Sequence, residues 1–141
     1  MLKVMKWVLL IIAVFLSLGF GTCRLRERLD RQNVIDDAKA IRNAQLDFRQ
    51  KFGAYGSMTQ LVNDGFLDLR FKEGKMSGYV FTLKAEKDHY YLTVVPEYDT
   101  TITNTNTGEQ LSLFLDDSGI IRASVDPQSP ANSNTSPISP K

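Results

Sequence analysis

The sequence predicts an α+β fold: a long N-terminal helix, in which a membrane segment continues into an amphipathic helix, packed on a four-stranded antiparallel meander. Three observations predict it. Trp7 to Cys23 is a run of 17 residues without a charge. Leu25 to Phe52 contains no Gly or Pro and carries apolar residues at helical spacing. From Gly78 onward the pattern changes to period-two alternation.

The apolar run comes first in the chain. As a helix it spans about 25 Å, near the lower limit for crossing a bilayer. Trp7, Leu10, Ile11, Phe15, Leu18 and Phe20 are its anchoring residues. Lys3 and Lys6 precede it, and Arg24, Arg26 and Arg28 follow it. Such long cationic side chains snorkel to head groups and extend the usable length. Three fates fit the run: an uncleaved signal anchor, which is the favoured one; a cleaved signal peptide, for which only Gly19-Phe-Gly21 is available as a cleavage site; or a lipoprotein signal with Cys23 as the lipidated residue. Phe20-Gly21-Thr22 is a poor match to the Leu-small-small pattern of lipoprotein signals. Charge bias around the run does not place the C-terminal domain on the outer side of the membrane.

Between positions 34 and 52 the stripe is Val34, Ala38, Ile41, Phe48 and Phe52, with Ala44 on its flank. Before Val34 the chain is mostly polar, which predicts an exposed stalk associating with other helices through Leu25, Leu29 and Val34. Gly53 ends the helix. Ser57 is positioned to cap a short helix, Met58 to Asp64. Lys72 to Gly78 reads as a polar loop. Tyr79 to Glu86 and Tyr90 to Val95 then read as a hairpin, followed by strands at Gln110 to Leu115 and Ile120 to Ser124. Pro127, Pro130, Pro137 and Pro140 stand among Ser, Asn and Thr, so 126–141 reads as a disordered tail. The domains expected are therefore an anchor over 1–24, an α+β domain over 25–125 and the tail over 126–141.

Composition narrows the function. Lys and Arg number 17 against 16 Asp and Glu, which argues against a nucleic-acid surface. One cysteine and one histidine, Cys23 and His89, support neither a zinc site nor Cys–His catalysis. Asp116-Asp117-Ser118 offers oxygens to a Ca2+ ion, but the alternating-acid calcium motif is absent and a local turn explains the residues better. Glu97-Tyr-Asp99 reads the same way. Tyr79, Phe81, Tyr90 and Tyr91 serve either cross-strand packing or stacking on a ligand. No nucleophile–base pair or phosphate loop is visible, and the reading is non-enzymatic, without a cofactor.

The order of elements resembles the type IV pilin and type II secretion pseudopilin superfamily over residues 38–123. The segments that carry it are Ala40-Ile-Arg-Asn-Ala-Gln-Leu-Asp-Phe48, Phe52-Gly-Ala-Tyr-Gly-Ser-Met-Thr-Gln-Leu-Val-Asn-Asp-Gly-Phe-Leu67, Ser77-Gly-Tyr-Val-Phe-Thr-Leu83, Tyr91-Leu-Thr-Val-Val-Pro96 and Phe114-Leu-Asp-Asp-Ser-Gly-Ile-Ile-Arg122. The usual prepilin cleavage motif is not present: Gly19-Phe20 lies at the end of the apolar run, and the run holds no acid. The resemblance implies a single-pass protein of a bacterial inner membrane, its C-terminal domain periplasmic or extracellular. It implies a structural role in a secretion or pilus system, with the membrane and other pilin-like subunits as partners through the N-terminal helix. The alternative is a lipoprotein or periplasmic ligand-binding module anchored through Cys23.

Overall fold

The computed structural model describes residues 21–97, 111–126 and 129–138, with side chains from residue 31 onward. The chain divides into two compact units, Met1–Asn33 and Val34–Lys141. The described part of the first is residues 21–33, which lie in helix α1, Gly21–Phe52. The anchor residues Trp7, Leu10, Ile11, Phe15, Leu18 and Phe20 lie outside the described residues.

The second unit begins with the rest of α1. Helix α2 (Met58–Asn63) and a 3-10 turn (Leu69–Phe71) follow. Then come five strands: β1 Lys75–Met76, β2 Tyr79–Ala85, β3 Tyr90–Pro96, β4 Ser112–Asp116 and β5 Ile121–Ser124. They form one antiparallel sheet in the order β1-β2-β3-β4-β5.

Local chemistry sets each element. Arg49 and Lys51 stand in the last turn of α1, where cations meet the negative end of the helix dipole. The helix stops at Gly53, whose φ of 72° is left-handed and whose N–H donates to Arg49 O at 2.8 Å. Ser57 and Gln60 form a reciprocal capping box at the start of α2. β1 is placed by Gly74, which has φ 66° and a Cα so close to β2 that a Cβ would come within 2.8 Å of Phe81 O.

The core lies between α1 and one face of the sheet. Val34, Ala38, Ile41, Ala44 and Phe48 of the helix meet Phe81, Leu92, Val94, Leu113 and Leu115. The register brings the sheet residues into rows: Leu83–Leu92–Leu115–Ile121 and Phe81–Val94–Leu113–Ala123. All of these side chains sit on one face because the strand period is two.

Four expectations are corrected. The sheet has five strands and not four. β1 was read as part of a polar loop, because two residues are too few to show alternation. The membrane segment running on into a long helix is not matched: among the described residues no helix is long and apolar enough to cross a membrane. Val34, expected in an association stripe, is fully buried in the domain's own core. A side chain without exposed surface has nothing to offer another helix.

The fourth correction concerns the C-terminus. Residues 129–138, within the segment expected as an unstructured tail, are docked. Ala131 is buried, Pro137 bridges to Arg122 and Ile138 packs on the core. The docking partners are hydroxyls and carbonyls of β4 and β5, which composition does not reveal. Ser112 Oγ accepts from Ala131 N at 2.9 Å, and Ser124 Oγ donates to Ser129 O at 2.8 Å.

Candidate functional site

The face of the sheet away from α1 carries the residues free to meet a ligand. Pairing aligns Lys84 with Tyr91 and Tyr91 with Asp116. One row further, Thr93 aligns with Phe114 and Phe114 with Arg122. Tyr91 and Phe114 are diagonal neighbours. Their rings lie 6.4 Å apart at 20°, a stacked arrangement. The Lys84 ammonium stands 5.6 Å from the Tyr91 centroid, within cation–π range.

At one end of this face two turns flank a cavity of about 720 Å3. The first is the β2–β3 turn, closed by Glu86 N donating to His89 O at 2.8 Å. The second is the β4–β5 turn, closed by Gly119 N donating to Asp116 O at 2.9 Å. Lys84, His89, Tyr90, Tyr91, Phe114 and Asp116 all contribute to its lining. His89 Nε2 is 3.1 Å from Glu86 Oε2, and both side chains are exposed. Tyr90 is buried, and that burial, with Tyr55 beside it, pushes its hydroxyl well above the ordinary phenol range. The Tyr90 side chain is therefore a neutral group throughout the physiological range. This end of the sheet presents aromatic surface, the Lys84 ammonium, the His89 imidazole and the carboxylates of Glu86, Asp116 and Asp117, a set that can bind and orient a ligand.

The expected sites fall as follows. Asp116 Oδ1 accepts from Ser118 N at 3.1 Å and from Ser118 Oγ, so it closes its own turn. Asp117 lines the cavity beside it. Among the described residues no three His, Cys, Asp or Glu side chains are grouped to hold a metal ion. Cys23, Leu25 and Leu29 lie in α1, and their side chains are outside the described residues. Tyr98 and Asp99 are outside them as well. Of the four sheet aromatics, Phe81 and Tyr90 are core residues, Tyr79 packs partly against the core, and only Tyr91 faces outward.

Sequence reading missed two polar groups inside the second unit. Gln45, with no exposed surface, donates from Nε2 to Gly56 O at 2.6 Å and accepts at Oε1 from Gly56 N at 2.9 Å. Asp37, 4% exposed, accepts at Oδ1 from Arg70 Nη2 at 2.5 Å, while its Oδ2 has no hydrogen-bond partner. Both stand on the buried side of α1 between apolar neighbours. Helical spacing could have marked them, since Asp37 lies three residues after Val34 and four before Ile41, and Gln45 lies four residues after Ile41. No family model matches the chain. No curated protein or solved structure matches it either.

Proposed function

We propose that this chain is a membrane-anchored, non-enzymatic interaction protein of a bacterial envelope. Its α+β unit is displayed on the outer side of the inner membrane as a pseudopilin-like component of a secretion or pilus system. The observation that carries the reading is the length of α1. Only from Val34 onward does the helix belong to the compact unit that it helps to fold, yet its described part reaches back to Gly21. The residues before Val34 are surplus to that core. They follow directly on the apolar run 7–23, which is the arrangement expected of a tether and stalk.

Extraction and crosslinking test the reading. The full chain should sediment with membranes through carbonate or high-salt washes, and so should its Cys23→Ser variant. Cysteines introduced at Leu25 or Leu29 in that variant should form disulfide-linked dimers in cells. Release of the full chain by a salt wash, or failure of both cysteines to link to any protein, refutes it.

The groove at the end of the sheet favours a second reading, a ligand-binding module tethered by lipid on Cys23. The stacked Tyr91 and Phe114 beside Lys84 and Asp116 support it. Loss of membrane association in Cys23→Ser would select this reading over the first.

A further inference from the structure

β5 is the last strand of the sheet, and an open strand edge is a template for another chain. Here the edge is covered by residues 129–138 of the same molecule. Arg122 and Pro137 are bridged partners, Ile138 N donates to Ile121 O at 2.9 Å, and Arg122 Nη1 donates to Thr135 O at 3.0 Å. Ser112 and Ser124 hold the main chain at Ala131 and Ser129. The strap thus has a defined seat: a hydroxyl pair, a guanidinium, an edge carbonyl and a place on the core for Ile138.

The hold is thin. β4 and β5 pair over four positions, whereas the strap makes one bridge. Proline occupies that bridging position and has no N–H to give. Ala131 and Ile138 are the only aliphatic side chains among residues 129–138. We infer that the β5 edge is a strand-acceptor site, and that its occupant besides the chain's own strap is the same segment, 129–138, of a second copy. The argument for that occupant is that the seat already fits this segment. Every contact made in cis is available in trans without any change of sequence, and a reciprocal exchange closes as a two-fold dimer. The short connection from β5 gives the cis strap a high effective concentration, so exchange grows as copies are crowded together. This goes beyond the tether reading and stands without it.

The test uses the full chain with Cys23→Ser. Ile138 N to Ile121 O marks Arg122 and Pro137 as a narrow antiparallel pair, with Cα atoms about 4.5 Å apart and within reach of a disulfide. An R122C/P137C double variant should close an intrachain disulfide, and its failure to do so overturns the seat. Two differently tagged copies, one with Arg122→Cys and the other with Pro137→Cys, are then coexpressed. A disulfide-linked dimer carrying both tags is expected, reduced about tenfold when the Pro137→Cys copy also carries Ile138→Asp. Absence of the mixed dimer, or indifference to Ile138→Asp, overturns the proposal. Amide exchange on the unmutated chain is independent of these variants. The Ile138 amide should exchange on the order of 100-fold faster than that of Leu92, because the strap opens alone. Equal protection of the two overturns the proposal.

Discussion

Removing the side-chain amide of Gln45 is the sharpest test of how α1 is held to the chain that follows it. Gln45 and Gly56 are both buried, and the amide satisfies the N–H and the C=O of Gly56 together. Leaving a buried polar group without a partner costs about 1–3 kcal/mol. Gln45→Ala orphans two and opens a small cavity, for a loss of about 3–5 kcal/mol. Against a usual domain stability of roughly 5–15 kcal/mol that is a large fraction. Gln45→Met keeps the volume and removes only the hydrogen bonds, so it should lose about 2–4 kcal/mol. Urea unfolding followed by near-UV circular dichroism measures both. Gln45→Glu adds a pH test. Its carboxylate would face Gly56 O, which favours the protonated form, so the folded pKa is raised above the unfolded value of about 4.3. Its stability is then greatest below that value and is lost as pH rises through the folded pKa. If Gln45→Met unfolds within about 1 kcal/mol of the parent, the clamp contributes little and the reasoning fails.

Other outcomes follow from the same structure. Arg70→Ala strands the buried Asp37 carboxylate and should cost about 2 kcal/mol, discounted because Arg70 is half exposed; adding Asp37→Ala should recover part of that loss in chemical denaturation. Burial holds the Tyr90 hydroxyl above its ordinary value, so the stabilisation from the neutral phenol is complete below about pH 10 and falls as pH rises through the folded pKa. Tyr90→Phe should flatten that alkaline slope, as read from urea midpoints between pH 9 and 11 (an interval of about one unit either side of the unfolded phenol value). Gly74→Ala should cost more than about 2 kcal/mol, since both the left-handed φ and the approach to Phe81 O oppose a Cβ; thermal melting measures it. The Lys75 ammonium is raised by its hydrogen bond to Glu97, and NMR titration of Glu97→Gln should show it return toward the ordinary lysine range.

What the sequence disclosed depended on range. Tyr79 to Glu86 and Tyr90 to Val95 pair locally across a short turn, so the hairpin was legible to within one residue at two of its ends, Ala85 and Pro96 being where the strands stop. Ser57 and Gln60 cap a helix three residues away, again within one turn. β1 was hidden because its partner Val80 and the glycines around it set its course, and not any pattern in Lys75-Met76. The strap was hidden for a similar reason. Its composition is that of an unfolded segment, and its order comes from Ser112, Arg122 and Ser124, which lie 5 to 19 residues earlier in the chain. The outward rows containing Lys84, Tyr91, Phe114 and Asp116 required the register of three strands, which alternation in each strand alone does not fix. Asp37 and Gln45 stand at the spacing of the apolar stripe, but their polar side chains read as solvent-facing until Arg70 and Gly56 are brought to them.

Among the described residues, the strands that neighbour each other in the sheet are neighbours in sequence. Every strand therefore finds its place by closing one loop onto the strand just made, and no pairing waits on a distant segment. The longest of these closures is the interval from Pro96 to Ser112. Loop entropy grows only with the logarithm of length, about 0.6 kcal/mol per doubling. A peptide of similar size inserted after Glu97 would thus leave the assembly order of the strands intact. That interval is the natural place to attach a reporter or a foreign domain while the helix, the sheet and the strap keep their partners.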